Sequence, residues 1–378
     1  MIYIDEKDKC CGCEACVQIC PKSCVTFSED DEGFYYPEVD IETCINCHLC
    51  EKVCPMLNQR DEHYPLETYS GRINDDIILK ESSSGGIFSL LAEYTIMQGG
   101  VVFGARYDEC WNVVHDYTDS LEGIKAFRGS KYTQSKIGKS YILAESFLKE
   151  GKIVLFTGTS CQILGLKTFL RRDYPNLLTV DIVCHGVPSP KIWQAYLKQL
   201  NPQGLKITSV NLRDKSRGWK RYSYMIKAGD TTLYDDYAAN SVYLKGFMSK
   251  TFLRPSCYGC PAKNGSAGSD ITLADNWGIR DVNPNEFDDK GMSAILINSE
   301  KGKNVVKGLN ATFREYPFDV FINNNRSYAE SAKLPKYRNL FWQKFPQMGF
   351  RVIEIINNKM RPSVLKRAVI KLKRMMNL

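Results

Sequence analysis

The sequence predicts a mixed fold of the α/β or α+β class, in which a small cysteine-rich unit at the N-terminus precedes a larger domain of strands and helices. Two observations carry this prediction. Ten of the fifteen cysteines lie in the first 54 residues. From about residue 81 to residue 325, apolar runs typical of buried strands alternate with segments of helical period. The 378 residues are enough for two or three domains.

The N-terminal unit, residues 1–60, contains the same cysteine spacing twice. Residues 10–21 and residues 44–55 both have the pattern Cys-x2-Cys-x2-Cys-x3-Cys-Pro. Three thiolates at this spacing can bind three corners of one iron–sulfur cube, while the fourth cysteine ligates the cube of the other run. The pattern therefore predicts a bacterial-ferredoxin-like module with two 4Fe–4S clusters. The expected ligands are Cys10, Cys13, Cys16 and Cys54 for the first cluster and Cys44, Cys47, Cys50 and Cys20 for the second.

Other metal chemistry fits these two runs less well. Structural zinc sites pair two CxxC elements rather than placing three cysteines in one run, and the chain has no CxxxCxxC run of the radical-SAM type. Cys11 and Cys24 fall outside the repeated spacing, so we expect them not to be ligands. Cys110, beside Trp111, is expected to be a packing residue.

The larger domain, 81–325, follows a predicted connector over residues 61–80. Within it we predict, in chain order, a helix over 87–98 introduced by a serine cap and ended by glycine, a strand over 153–156, a helix to about residue 171, and a strand over 178–183. Residues 82–86 and 157–162 are glycine-bearing turns that lead into helices. Free N–H groups at such turns favour a pyrophosphate or an anionic ring, although ordinary helix caps have the same composition.

The excess of positive charge lies at the C-terminus. The net charge is +7, and residues 350–378 contain eight basic side chains against one acidic side chain, so the rest of the chain is formally neutral. In the C-terminal helical segment, 326–378, we expect residues 363–378 to form a basic amphipathic helix. That helix either docks on its own domain or makes peripheral contact with an acidic partner or an anionic membrane surface.

The sequence favours a cytoplasmic location, extending to the inner face of the membrane if the basic helix binds lipid. No apolar run reaches the length of a membrane span, and the first residues lack the pattern of a secretory signal. No nucleic-acid-binding module is recognisable, so we expect no nucleic-acid partner.

Six segments of the larger domain carry a resemblance to a known family. They are residues 83–86, 129–135, 156–162, 181–186, 254–260 and 269–278. In this order they resemble the coenzyme F420 hydrogenase/dehydrogenase beta-subunit family, including members with a fused N-terminal ferredoxin. Ser160 departs from the family pattern, which usually has proline before the cysteine.

The resemblance implies a flavin, normally FAD, bound in a catalytic α/β domain that also holds a further 4Fe–4S cluster. Lys131 is expected to neutralise a phosphate or to lie near the flavin ring. The expected flavin-binding residues are Ser83, Ser84, Gly85, Gly86, Lys131, Thr157, Gly158 and Thr159. Asp275 and Trp277 are interpreted as architecture. A basic group around Trp219 either binds an acidic cofactor or forms a solvated turn; its members are Arg213, Lys215, Arg217 and Lys220.

Four cysteines outside the module supply the number of thiols that a cube requires. They lie at predicted strand ends or in loops: Cys161, Cys184, Cys257 and Cys260. Zinc or reduced thiols are the alternatives for this set. Cys161 is also a candidate nucleophile, because a helix N-terminus would lower its pKa. His185 is a second candidate catalytic residue, with a structural role as its alternative.

Together these features predict an iron–sulfur flavoprotein oxidoreductase. It would couple a small two-electron donor or acceptor, coenzyme F420 or another compound, to one-electron transfer through the clusters and on to a redox protein or subunit. One alternative is a non-catalytic ferredoxin-type subunit of a larger redox complex. Another is a flavin reductase that acts on a cell-envelope or sugar precursor at the membrane surface.

Overall fold

The computed structural model describes residues 1–360. The amphipathic helix expected over residues 363–378 therefore lies outside the described residues. The strands are β1 (Val25–Glu29), β2 (Tyr35–Val39), β3 (Glu67–Ile73), β4 (Val101–Tyr107), β5 (Val113–Thr118), β6 (Val154–Thr159), β7 (Leu177–Ile182), β8 (Ser209–Asp214), β9 (Ser223–Ala228), β10 (Thr231–Tyr237), β11 (Ile271–Asp275), β12 (Ser293–Ile297) and β13 (Ala311–Glu315).

The α-helices vary from a single turn to three turns. They are α1 (Ala15–Gln18), α2 (Leu49–Lys52), α3 (Asp76–Glu81), α4 (Ile87–Met97), α5 (Ser140–Lys149), α6 (Ser160–Leu170), α7 (Pro190–Leu200), α8 (Val242–Met248), α9 (Ile279–Val282), α10 (Glu300–Lys307), α11 (Phe318–Asn324), α12 (Arg338–Met348) and α13 (Arg351–Met360). Within residues 1–360, no helix combines the length and the apolar character needed to cross a bilayer.

Eight strands form the central sheet of the larger domain, in the order β13-β3-β12-β11-β7-β6-β4-β5. The four neighbours β11, β7, β6 and β4 run parallel, whereas the strands on either side of them pair antiparallel. Val154, Leu155 and Phe156 of β6 are all fully buried, because helices cover both faces of a parallel sheet. This double burial explains why the sequence has an uninterrupted apolar run there.

Alternate residues of the central strands contact opposite layers of helices. Val154 and Phe156 pack in an apolar cluster with α5 and α6, whereas Leu155 packs with α4 on the other face. The carboxyl ends of the four parallel strands meet at one edge of the sheet. In open α/β sheets this edge is where ligands bind.

Residues 61–80, expected to be a connector, contain β3 and all but the last residue of α3. β3 pairs with β12 on one side and with β13 on the other, so the sheet of the larger domain begins at Glu67 rather than near residue 81. The buried positions of β3 include Thr68 and Ser70. Their polar character hides the alternation that would have indicated a strand.

The helix expected over residues 87–98 is α4, but it begins without the expected serine cap. Gly86 is its N-cap residue, with a φ of 80°, a left-handed conformation that glycine adopts without steric cost. Ser82 instead ends α3, where its hydroxyl donates to the carbonyl oxygen of Ile78 at 2.7 Å.

A second lobe contains the three-stranded antiparallel sheet β10-β9-β8. Helices α7, α8 and α13 surround it through an apolar cluster that includes Trp193, Tyr243 and Phe252. The part of the expected C-terminal helical segment that the structure describes contains α12 and α13.

The N-terminal module consists of the β1–β2 hairpin and the single-turn helices α1 and α2. The carboxylate of Glu14 accepts the N–H groups of Ile137 and Gly138 at 2.9 and 3.2 Å. The amide oxygen of Gln18 accepts the N–H of Tyr141 at 3.0 Å. Since the first N–H groups of a helix have no partner within it, the module supplies acceptors at the start of α5.

The module also packs closely on α6. A Cβ atom at Gly165 would lie only 2.8 Å from the Cβ of Cys13, so glycine is what allows this approach. Three residues further along, the hydroxyl of Thr168 donates to the carbonyl oxygen of Val53 at 2.7 Å. The cysteine loops are therefore held directly against the larger domain.

Candidate functional site

The structure brings together the first expected ligand set, Cys10, Cys13, Cys16 and Cys54. Burial raises the pKa of the Cys16 thiol well above its usual value, and the neighbouring thiols of Cys10 and Cys54 add to the shift. Burial likewise raises the pKa of Cys54, with a contribution from Cys10. Cys54 belongs to the second run in sequence and lies near thiols of both runs, because Cys50 contributes to the same two shifts. The crossed ligand assignment stays a prediction.

The second expected set lines a recess of about 350 Å³, part of which is open to solvent. Its members are Cys20, Cys44, Cys47 and Cys50. Cys47 is exposed, and the sulfur of Cys50 accepts the N–H of Ile2 at 3.2 Å. Cys24, which we expected to be a non-ligand, also borders this recess, with its sulfur 3.4 Å from that of Cys20.

The four cysteines of the larger domain line a second recess, of about 460 Å³. They are Cys161 at the start of α6, Cys184 after β7, and Cys257 and Cys260 in the loop before β11. The N–H groups of Gly186 and Val187 donate to the sulfurs of Cys184 and Cys257, each at 3.4 Å. Such bonds favour thiolate over thiol, so this third set fits a cluster.

Among residues 1–360, no three His, Cys, Asp or Glu side chains converge on the position of one ion. A cube takes one thiolate at each of its four irons. Burial raises the pKa of Cys184 to about 12, so binding of a cluster at the third set requires the release of protons.

Cys11 joins the first set to the third. Its thiol interacts with those of Cys13 and Cys161, and it borders the third recess. Repeated spacing gives no signal for this position, because the contact with Cys161 depends on how the module docks on α6. We expected Cys11 to be a non-ligand; its place between two sets is a feature that the sequence does not reveal.

The expected lowering of the Cys161 pKa is not found. The neighbouring Cys11 thiol and burial raise the pKa of Cys161 well above its usual value. A thiol that holds its proton is a poor nucleophile, which removes the argument for Cys161 as a catalytic nucleophile. The helix N-terminus would lower the pKa of Cys161, but the adjacent Cys11 thiol and burial raise that pKa by more.

His185 borders the third recess beside Cys184. Burial lowers its pKa to about 4, and the charges of Lys250 and Lys263 act in the same direction. Its Nδ1 lies 3.4 Å from the Ser327 hydroxyl, while Nε2 is buried without a hydrogen-bond partner within residues 1–360. The ring is therefore neutral at pH 7.

Two of the segments expected to bind a flavin, residues 82–86 and residues 129–131, lie against each other. The Ser83 hydroxyl accepts hydrogen bonds from the N–H and hydroxyl of Ser130 at 2.7 and 2.9 Å. Lys131, the next residue, is half-buried, and its ammonium donates to three backbone carbonyls, those of Phe127, Arg128 and Gly129. Burial lowers the pKa of Lys131 to about 7.

The turn at 157–159 is built as a capping box. The N–H of Thr159 donates to the side-chain oxygen of Gln162 at 3.0 Å, while the Thr159 hydroxyl accepts from the backbone of α6. Thr157 donates its hydroxyl proton to the Phe103 carbonyl oxygen at 2.8 Å. Part of the expected N–H donor set is therefore used within the protein, as the ordinary-cap alternative predicts.

Lys215 of the basic segment reaches this region, where its ammonium donates to Ser84 O at 2.9 Å, and so does Arg213. Arg213 is 3% exposed, and its Nη2 donates to Ser83 O and to Asp275 Oδ1, both at 2.9 Å. Asp275 also accepts the indole N–H of Trp219 at 3.1 Å, and Trp219 stacks on Trp277 at 4.9 Å. The residues interpreted as architecture thus position the guanidinium.

Three buried polar atoms around Lys131 and Arg213 lack a hydrogen-bond partner within residues 1–360. They are Tyr107 Oη, Tyr224 Oη and Arg213 Nε. The Lys131 ammonium lies 5.7 Å from the centre of the Tyr107 ring, and the Arg213 guanidinium 4.1 Å from that of Tyr222. Because buried polar groups normally have partners, this combination of aromatic rings and unpaired donors fits a planar polar ligand such as a flavin ring.

Two family models match the chain. Residues 151–314 match the C terminus of the beta subunit of coenzyme F420 hydrogenase/dehydrogenase, and residues 9–57 match the 4Fe-4S dicluster domain. Among solved structures, a chain of the F420-reducing [NiFe] hydrogenase complex from Methanosarcina barkeri is similar, with a TM-score of 0.50 and 20% identity. The match covers 71% of this chain and 89% of that one, and at this identity the likeness concerns the fold alone.

The similar curated proteins match short stretches of the chain, of 51 to 59 residues. An uncharacterized ferredoxin of Methanocaldococcus jannaschii is 40% identical over 52 residues, 14% of this chain and 66% of its own length. The pyruvate synthase subunit PorD of Methanothermobacter marburgensis is 35% identical over 51 residues, or 14% and 53%. A 7Fe ferredoxin of Hydrogenibacillus schlegelii is 39% identical over 59 residues, or 16% and 69%. The chain thus spans only about half to two thirds of these relatives.

Proposed function

Because the chain belongs to the coenzyme F420 hydrogenase/dehydrogenase beta-subunit family and has a 4Fe–4S dicluster domain at its N-terminus, we propose that it is an iron–sulfur flavoprotein oxidoreductase of the cytoplasm. A small two-electron donor or acceptor reacts in the larger domain, and single electrons pass through three clusters to a redox protein or subunit. A bound flavin supplies the exchange between paired and single electrons.

The observation that carries this proposal is the connection between the third cysteine set and the module. The third recess is lined by Thr159, at the carboxyl end of β6, and by Cys11, which packs in the same buried apolar core as Cys13 of the first set. The proposed third cluster therefore lies between the edge of the sheet and the first cluster. The exposed Cys47 of the second set makes that cluster the exit toward a partner.

The residues at the edge of the sheet have separate roles in this proposal. The Arg213 guanidinium, fixed by Asp275, compensates negative charge on the bound ring. Lys131 Nζ takes up or releases a proton near neutral pH, since burial brings its pKa to about 7. The Tyr107 and Tyr224 hydroxyls, which lack partners in residues 1–360, supply further hydrogen bonds.

The two-electron compound is proposed only by class. Coenzyme F420 is one candidate, because both the matched family and the hydrogenase complex with a similar chain are named for it. Another small compound of low potential would meet the same requirement.

A non-catalytic electron-transfer subunit is the second candidate, and one observation favours it. The hydroxyls of Ser83, Ser84 and Thr159, all expected at the flavin, are engaged in hydrogen bonds within the protein. Under this reading the clusters alone connect a separate enzyme to its partner.

Anaerobic purification with iron, sulfide, zinc and flavin quantitation tests both candidates. The proposed enzyme should contain about twelve irons and one flavin per chain. Full iron with no yellow flavin absorbance would select the electron-transfer subunit. About eight irons would mean that the third cluster is not present. Zinc together with about eight irons would assign the third cysteine set to a structural zinc ion.

Arg213→Met should weaken flavin binding. Loss of a hydrogen bond from a charged group costs about 1.5–3 kcal/mol, which corresponds to a roughly tenfold to 150-fold rise in the flavin Kd. The measurement is flavin titration of apoprotein followed by fluorescence, with the iron content determined in parallel.

The matched control is Arg217→Met, in the same segment. Arg217 is half-exposed and pairs with Asp235 at 2.9 Å, so its loss should leave the flavin Kd unchanged. An iron-replete Arg213→Met protein that binds flavin as tightly as the wild type would exclude this region as the flavin site.

A further inference from the structure

We propose that the buried guanidinium of Arg254 sets the reduction potential of the first cluster and keeps it above the value that the four thiolates alone would give. The proposal rests on the proposed function, since it requires a cluster in the first set. Arg254 precedes the loop of Cys257 and borders the third recess, so it lies between the first and third sets.

The guanidinium forms its hydrogen bonds with the module and with Gln134, whose own amide donates to Cys11 O of the module at 3.2 Å. Nε donates to Cys10 O at 2.7 Å, and Nη2 donates to Cys10 Sγ at 3.4 Å and to Tyr35 O at 2.9 Å. Nη1 donates to Gln134 Oε1 at 3.1 Å. The residue is 1% exposed, so its position is fixed by the packing of the module on the larger domain.

Within residues 1–360, the charge of Arg254 has no carboxylate hydrogen-bonded to it. None of its four hydrogen bonds within the described residues goes to an acidic side chain. The buried Glu14 carboxyl is close enough to be affected by the guanidinium charge but is bonded to the N–H groups of Ile137 and Gly138. A buried charge requires an opposite one, and the thiolate of Cys10 is the anion in direct contact.

Reduction adds one negative charge to a cluster. A cation in contact with a ligand sulfur stabilises the reduced form, and burial prevents water from screening the interaction. Net charge and hydrogen bonds to the sulfurs are among the features that set cluster potentials. Arg254 therefore makes the first cluster easier to reduce. Arg254 does not border the second recess, so the potential of the second cluster serves as the internal reference.

Arg254→Gln tests the proposal by removing the charge while retaining a donor amide. The readout is the midpoint potential of each cluster, from EPR-monitored redox titration of the full chain, with iron and sulfide content. We expect at least a tenfold fall in the reduction equilibrium constant of the first cluster, about 59 mV for one electron. The second cluster should keep its potential.

Two further variants separate the charge from its surroundings. Gln134→Glu places a carboxylate against Nη1 without removing the guanidinium, and it should lower the same potential. Arg72 lies on β3, pairs with Asp288 and borders neither recess. Arg72→Gln removes its positive charge and should leave the potentials of both clusters unchanged.

The outcomes distinguish this proposal from the function on which it rests. Wild-type protein without iron and sulfide would refute the proposed function before any variant is compared. Iron-replete variants whose first-cluster potential equals that of the wild type would overturn the role of Arg254. If Arg254→Gln loses its iron, the test rests on Gln134→Glu. A first-cluster potential in Gln134→Glu equal to that of the wild type then overturns the proposal.

Discussion

Replacing Cys54 by alanine is expected to abolish the cluster whose other ligands lie in the first run. Although Cys54 ends the second run in sequence, its thiol lies beside those of Cys10 and Cys16. A cube takes a thiolate at each of its four irons, so the variant should lose between about one and about four of about twelve irons, together with the EPR signal of that reduced cube. Iron and sulfide analysis together with EPR of the reduced protein measures the loss.

Comparison of spectra between variants tests the crossing itself. Cys54→Ala should give the same spectrum as Cys16→Ala, and Cys20→Ala the same as Cys50→Ala. If the spectrum of Cys54→Ala were instead the same as that of Cys50→Ala, each run would bind its own cluster. Cys110→Ala is the matched control, since Cys110 is exposed and borders neither recess, and it should keep full iron content.

The local parts of this molecule could be predicted from its sequence. The two cysteine runs place three ligands within seven residues, so spacing alone indicates which thiols share a cube. The strand β6 could be recognised because burial on both faces demands an uninterrupted apolar run. Both features are marked by residue types within one short run of sequence.

The remaining features depend on distant contacts, and the sequence gives no signal for them. Arg254 reaches Cys10 across 244 positions, and Glu14 reaches Ile137 across 123. β3 was missed for a different reason, because Thr68 and Ser70 occupy its buried positions. The expectation for Cys161 was wrong because helix position is a local property, whereas burial and the thiol of Cys11 raise its pKa.

Replacing Cys184 by alanine should remove the third cluster and leave the two module clusters intact. The iron content should fall from about twelve to about eight, while the EPR signals of the module are unchanged. Because the third recess lies between the sheet edge and Cys11, reduction of the module by a two-electron donor should fall to background. Direct reduction of the module by dithionite should persist, and stopped-flow absorbance measures both rates.

Cys257→Ala is the matched second variant, because its sulfur accepts a backbone N–H as that of Cys184 does. The two variants should agree in iron content and in rate. Unaltered iron in both would exclude this set as a cluster site, and loss of zinc rather than iron would assign it to a structural ion. If both variants lose the iron of the third cluster and the two-electron donor still reduces the module at the wild-type rate, electrons enter the module without passing the third set. The path past Cys11 would then not be the route.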